Sequence, residues 1–171
     1  MMTVLNRNPQ NTNLLQPTKF LLVFNRLPAV QYFCQTVNVP GIALDEVVRS
    51  TPFLDIYYPG TKLKYDPFDI DFLIDEELTT WKNMYDWFLT FADPDGFEKD
   101  GNYSELQTNK HVSDATLTIL SALNNPVLRI QFRNVYPLTI SDLNFDTKES
   151  ADSIMTCKAT FRYESYNYLT V

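Results

Sequence analysis

Basic residues are in deficit in this chain of 171 residues. Lys and Arg together number 14 against 21 Asp and Glu, for a formal charge of −7. A protein that grips DNA or RNA needs a basic footprint, and the chain as a whole offers none. Histidine occurs once, at His111, and a lone histidine in a polar stretch is more often solvated than catalytic. The two cysteines, Cys34 and Cys157, are isolated. Without Cys-x-x-Cys or His-x-x-x-His spacing there is no zinc pattern, and the thiols read as reduced and buried rather than paired. Glycine occurs only four times, which leaves no Gly-rich phosphate loop. The longest apolar run is residues 20–24, far short of the roughly 20 needed for a membrane-spanning helix. The first 17 residues lack the apolar core of a secretory signal, so the chain is expected in the cytosol, or assembled there.

Aromatic residues are abundant: 12 Phe, 10 Tyr and 2 Trp, alongside 10 Pro. This balance suits one strand-rich domain with turns set by proline and asparagine. Residues 1–17, polar and punctuated by Pro9 and Pro17, read as an N-terminal arm before a domain spanning 18–171. Residues 19–24 and 30–37 read as strands of an opening hairpin turning at Asn25-Arg26-Leu27-Pro28. In residues 66–74, Phe68, Ile70, Phe72 and Ile74 alternate with Asp69 and Asp71, the period of a half-buried strand, with Pro67 marking an edge or the strand's start. One helix follows, over about 76–92, with Asp75 as N-cap and Glu76 and Glu77 in its first turn. Its expected buried stripe is Leu78, Trp81, Tyr85, Phe88 and Ala92, widened by Met84, Trp87 and Phe91. Pro94-Asp95-Gly96 stops it, and a long polar connection occupies 93–111. Strand patterns resume at 115–120, 128–133 and 138–145. After a charged loop at 146–152 comes a long last strand, with Met155, Cys157, Ala159, Phe161 and Tyr163 on one face. The sum is mainly β with one helix, an antiparallel β sandwich or barrel.

The search for chemistry yields little. Asp69/Asp71 and Glu76/Glu77 imitate acid–base pairs, but a polar strand face and a helix first turn explain them better. Asp93, Asp95 and Asp100 do not meet the calcium-loop pattern. No catalytic residue, metal or cofactor is expected. What remains is surface. The excursion between Pro40 and Pro59 reads as a segment too long for a tight hairpin, and it carries Val47, Val48, Phe53, Leu54, Ile56, Tyr57 and Tyr58. Those apolar side chains suit either a loop folded back over the chain's own core or, the reading preferred, a protruding arm buried by another subunit.

The order of these pieces resembles the tail tube proteins of T4-like contractile-tailed bacteriophages, including ring-forming relatives at the ends of the tube. The resemblance rests on Val37-Asn38-Val39-Pro40-Gly41-Ile42 before a long excursion, a strand ending at Asp75-Glu76-Glu77, and a helix carrying Trp81 and Asp86-Trp87. It continues in Asn134-Val135-Tyr136-Pro137-Leu138-Thr139-Ile140, Leu143-Asn144-Phe145-Asp146 and the closing Phe161-Arg162-Tyr163-Glu164-Ser165-Tyr166, and spans roughly residues 19–168. It implies a β domain of the tail-tube type and a structural virion protein assembled in the host cytoplasm. It further implies hexameric rings that stack into a conduit for DNA ejection, with sheath, baseplate or tape-measure proteins as partners and no membrane insertion. Asp69 and Asp71 would then face the lumen, where acidic side chains keep passing DNA from adhering. Competing readings are a ring that starts or ends the tube, a tube protein of an injection or type VI secretion machine, and a carbohydrate-binding β domain using Trp81 and Trp87 as platforms.

Overall fold

The computed structural model describes residues 12–91, 111–148, 150 and 153–170. Most of the expected arm, Ala92, the helix stop at Pro94-Asp95-Gly96, nearly all of the 93–111 connection and part of the 146–152 loop lie outside the described residues. Nine strands and two helices are present among the rest: β1 (Phe20–Phe24), α1 (Val30–Phe33), β2 (Cys34–Val37), β3 (Ile42–Ser50), β4 (Asp55–Tyr65), β5 (Phe68–Leu73), α2 (Thr79–Leu89), β6 (Ser113–Leu120), β7 (Pro126–Ile140), β8 (Thr156–Arg162) and β9 (Ser165–Thr170). The mainly antiparallel β reading holds, with one short helix more than the sequence suggested.

Seven strands form one sheet in the order β1-β6-β7-β8-β5-β2, with β9 also on β7. The fifteen-residue β7 organises it. β9 pairs with its first half and β8 with its second half. Arg133 faces Ser165 and Tyr136 faces Arg162, so β8 and β9 run along β7 in a single register through a corner. Asn134 occupies that corner at φ 53°, a left-handed conformation that asparagine tolerates better than most residues. Its backbone N–H donates to Asp114 Oδ1 (3.2 Å) and its side chain to Glu164. The two long strands thereby bend together, and the two halves of the sheet enclose the core.

That core is aromatic. Phe68 is fully buried, with ring centroids 4.7 Å from Phe132, 5.2 Å from Phe161 and 6.1 Å from Phe24. The alternation read in residues 66–74 is observed. Phe68, Ile70 and Phe72 point inward, and Asp69 and Asp71 outward. Cys157, Ala159, Phe161 and Tyr163 are likewise buried. Cys34 and Cys157 both pair with Phe72, one from each side. Two strand spacings, about 9–10 Å, thus separate their Cα atoms, beyond disulfide reach.

Four expectations are corrected. First, residues 19–24 and 30–37 do not make a hairpin, since β1 pairs with β6 and β2 with β5. Leu27 and Val30 are buried, and α1, one turn long, carries the chain from one half of the sheet to the other. Tyr32, 82% exposed, breaks the strand period there. Second, β5 lies between β2 and β8, so Pro67 marks the strand's start and not an edge. Third, β7 continues through Pro137, where a register shift between Pro137 and Thr139 accommodates the missing N–H, and it ends at Ile140 rather than near 145. Fourth, α2 begins at Thr79 and its buried residues are Thr80, Met84 and Trp87. The stripe is rotated from the expected one, leaving Trp81 and Tyr85 stacked at 5.5 Å on the flank. The indole of Trp87 donates to the His111 carbonyl at 2.7 Å, which lets a tryptophan enter the core with its polar atom satisfied.

Asp75 caps α2 from four residues outside it. Its carboxylate accepts from the backbone N–H of Thr79 (2.9 Å) and Thr80 (3.1 Å), while Leu78 turns the chain at φ 57°. The N–H of Thr80 first, then the N–H and hydroxyl of Thr79, lower the Asp75 carboxyl to about 2. The unfolded value is near 3.9, so the cap stabilises fully above about pH 4 and is lost as pH falls through about 2. Between pH 5 and pH 2 the melting temperature of the native chain is expected to fall more than that of Asp75→Ala. Parallel melting curves across that range would mean that the Asp75 cap does not stabilise the helix.

Candidate functional site

β3 and β4 pair only with each other, antiparallel from Ile42↔Tyr65 to Ser50↔Asp55, and project from the seven-stranded sheet as a hairpin. The segment whose length argues against a tight hairpin is therefore a long two-stranded arm. Its turn is Thr51–Leu54, closed by Thr51 N–H on the Leu54 carbonyl (3.1 Å) and Leu54 N–H on the Thr51 hydroxyl (3.1 Å). Pro59-Gly60, read as the end of the excursion, lies inside β4. Both strands of an isolated pair are edges, so a proline costs no ladder bond on its open side.

All seven residues singled out from the sequence sit on this arm: Val47 and Val48 on β3, Phe53 and Leu54 in the turn, Ile56, Tyr57 and Tyr58 on β4. Each is between 38% and 97% exposed, with Phe53 at the tip the most open. Val48 pairs with Tyr57, Val47 with Tyr58 and Arg49 with Ile56. Because paired residues share a face, Val48, Tyr57 and Pro59 lie on one side and Val47, Ile56 and Tyr58 on the other. The distal half of the arm therefore carries exposed apolar side chains on both faces, with Arg49 on the Val47 face and Glu46 on the Val48 face. Nearer the domain, Ile42, Leu44, Leu63 and Tyr65 share one face, opposite Ala43 and Lys64. Sequence reasoning missed Ile42, Leu44 and Leu63, all exposed. The alternation of Lys62 and Lys64 with Leu63 and Tyr65 was the available signal. Between the two halves the register shifts from Leu44 to Glu46, and Lys64 bridges to Asp45 at 2.8 Å.

Asp69 and Asp71 lie elsewhere, on the outward face of β5. Asp69 accepts from Lys158 (2.8 Å) and from the Thr160 hydroxyl (2.7 Å). Those bonds, Lys158 first, hold its carboxyl below the usual range. Asp71 accepts from the Thr36 hydroxyl at 2.6 Å. This face is an ordered polar ladder in which Lys158 offsets one of the two negative charges. Arg129 and Arg133 are exposed on β7. The His111 ring packs near Phe91, 6.0 Å between centroids. Among the described residues no group of three potential metal ligands converges, and no helix is long and apolar enough to cross a membrane. Trp87 is core, so it cannot serve as an exposed sugar platform.

A bent antiparallel β module that extends an apolar hairpin away from its own core defines the class of protein. The model of the phage tail tube protein family matches residues 10–169, and the chain belongs to that family. Its sequence is 27% identical over 146 residues to the tail tube terminator protein of Enterobacteria phage T4, covering 81% of this chain and 78% of that protein. Its fold is similar to the tube-terminating cap of the anti-feeding prophage, with a TM-score of 0.67, 12% identity and coverage of 99% and 100% of the two chains. It is also similar to a chain of the sheath–tube complex of an extracellular contractile injection system (PVC), with a TM-score of 0.62, 12% identity and 94% of each chain covered.

Proposed function

We propose that this chain is a non-enzymatic tail tube terminator. In this reading it forms a ring, hexameric by the family resemblance, that closes the growing end of a contractile-tail tube. The sequence first suggested the main tube subunit, with the end ring as the alternative. The observation that favours the end ring is the 27% identity to the T4 terminator over about four fifths of both chains. The apolar hairpin supplies a physical means. Its side chains cost free energy in water and regain it against another subunit. Copies of the chain and the last ring of the tube are the proposed partners in those contacts. Sheath, baseplate and tape-measure proteins are further tail partners, and the tail of the virion is the proposed location. The net charge of −7 suits a conduit that DNA crosses without adhering.

Purified protein imaged by negative stain, alone and with a growing tube of its cognate tube subunit, tests this. A terminator gives discrete rings or unassembled subunits alone, and in the mixture shortens the tubes in proportion to its concentration. Long tubes made by the chain alone would make it the main tube subunit instead.

A further inference from the structure

The arm leaves the domain between Pro40-Gly41 and Tyr65-Asp66, and this root is held by three tyrosines. The Tyr163 hydroxyl donates to the Asp66 carbonyl at 2.9 Å, on the β4 leg. The Tyr166 hydroxyl donates to the Pro40 carbonyl at 3.4 Å, on the β3 leg. Tyr65 packs edge-on against both, with ring centroids 5.9 Å from Tyr163 and 5.4 Å from Tyr166. Phe132 ties the group to the core, 5.1 Å from Tyr163 and 5.6 Å from Tyr166. Tyr163 and Tyr166 flank the corner where β8 becomes β9, so the arm's root is bolted to the point at which the main sheet bends. The legs also bond to each other there, Asp66 N–H to the Gly41 carbonyl at 3.2 Å. Burial, before any charge effect, pushes the Tyr163 hydroxyl well above the usual phenol range.

Further out, the bulge fixes a second angle. A Cβ on Gly60 would lie 2.5 Å from the Asp45 carbonyl oxygen and 2.8 Å from its carbon. Both are backbone atoms, so no side chain fits at position 60 without moving β3. A bulge of this kind bends and twists a two-stranded ribbon, and the Lys64–Asp45 pair closes it.

A two-stranded ribbon alone is marginal in water. From the clamp and the bulge together we infer that the arm is aimed before it docks, with Tyr65, Tyr163 and Tyr166 setting its root and Gly60 setting its bend. These are positioning residues for assembly. The inference deepens the interface reading above and rests on it for its purpose, but the device itself belongs to the unassembled subunit. Preorganisation of this sort removes ordering cost from the docking step.

Hydrogen–deuterium exchange on the full unassembled chain tests it. In the native chain, the cross-strand-bonded amides of β3 and β4, every second residue of each strand, are expected to be protected alongside those of β5 and β8. Tyr163→Phe keeps the ring packing and removes only the hydroxyl. It should speed exchange in both legs of the arm by about fivefold, the effect of one hydrogen bond, and leave β5 and β8 unchanged. Gly60→Ala should speed exchange locally around residues 44–47 and 58–62. Unprotected cross-strand-bonded arm amides in the native chain, or Tyr163→Phe exchange identical to native, would overturn the preset root. Native exchange around the bulge in Gly60→Ala would overturn the preset bend. Failure of the interface reading is distinguishable, because it would appear as tube capping that survives loss of the arm's apolar side chains, whatever the exchange rates.

Discussion

Val47→Ser/Tyr58→Ser and Val48→Ser/Tyr57→Ser, two double variants, are each expected to abolish tube capping while leaving the subunit folded. Each pair is a cross-strand neighbour on one face of the arm, and the two pairs lie on opposite faces. All four side chains are roughly half exposed in the single chain, so their removal takes little from the core. Cross-strand pairs are worth about 0.2–1 kcal/mol each, a loss confined to the ribbon. In an assembly the same side chains would be desolvated, and truncating a buried aromatic anchor at an interface costs on the order of 2–4 kcal/mol. That is roughly 30- to 1,000-fold per contact, and a ring repeats the contact once per subunit. Capping, read as the concentration that halves mean tube length in negative stain, should shift by at least about a hundredfold in both variants. The melting temperature should move by only a few degrees. Loss in one variant alone would mean that a single face docks. Capping at the native concentration by both would remove the arm from the interface.

The arm also shows which information was legible in the chain and which was not. The alternation of Phe68, Ile70 and Phe72, and of Cys157, Ala159, Phe161 and Tyr163, could be read directly because a strand's two faces are written locally, residue by residue. The partner of β1 could not: Phe24 faces Ala115, across a separation no local pattern encodes, whereas local pattern points to the neighbouring segment. Trp81 and Trp87 are equally hydrophobic, and the indole bond to His111 that draws Trp87 inward depends on chain returning from far along the sequence. Pro59-Gly60 carried the strongest turn signal in its region, yet it serves as a bulge. The steric demand comes from Asp45 on the opposite strand, and the actual turn is closed by a threonine hydroxyl. The seven apolar residues of the arm were recognisable as a cluster without a core to enter, while their sorting onto two faces required the register. The lysine partner of Asp69 was likewise hidden, since Lys158 reaches it only once β5 and β8 pair. The tyrosine clamp combines all of these difficulties. It joins residues 40, 65, 66, 163 and 166, and Tyr163 read simply as the last apolar position of a strand.

Phe68→Ala is expected to be the most damaging single substitution in the domain. The ring is fully buried and stacked against Phe132, Phe161 and, at longer range, Phe24, with Tyr163 tilted beside it. These four neighbours come from β1, β7, β8 and the corner that follows it, so none can collapse into the void without dragging a different strand. Sites that relax poorly lie at the costly end of aromatic-to-alanine truncations, about 3–5 kcal/mol. Against a total stability of about 5–15 kcal/mol, that removes a large share, with a melting temperature lower by roughly 6–20 °C at 2–4 °C per kcal/mol. Asp69→Ala, one residue along the same strand, supplies the control. Its side chain faces outward, so only surface bonds to Lys158 and Thr160 are lost, and its melting temperature should stay within a few degrees of native. A second consequence follows from position. Asp66, two residues upstream of Phe68, accepts the Tyr163 hydroxyl, and Tyr163 itself leans on the Phe68 ring. Loosening the core at Phe68 therefore loosens the root of the arm, and capping should fail at temperatures where the sheet is still folded. A Phe68→Ala protein that melts within about 3 °C of native would mean that the aromatic cluster does not hold the two halves of the sheet together.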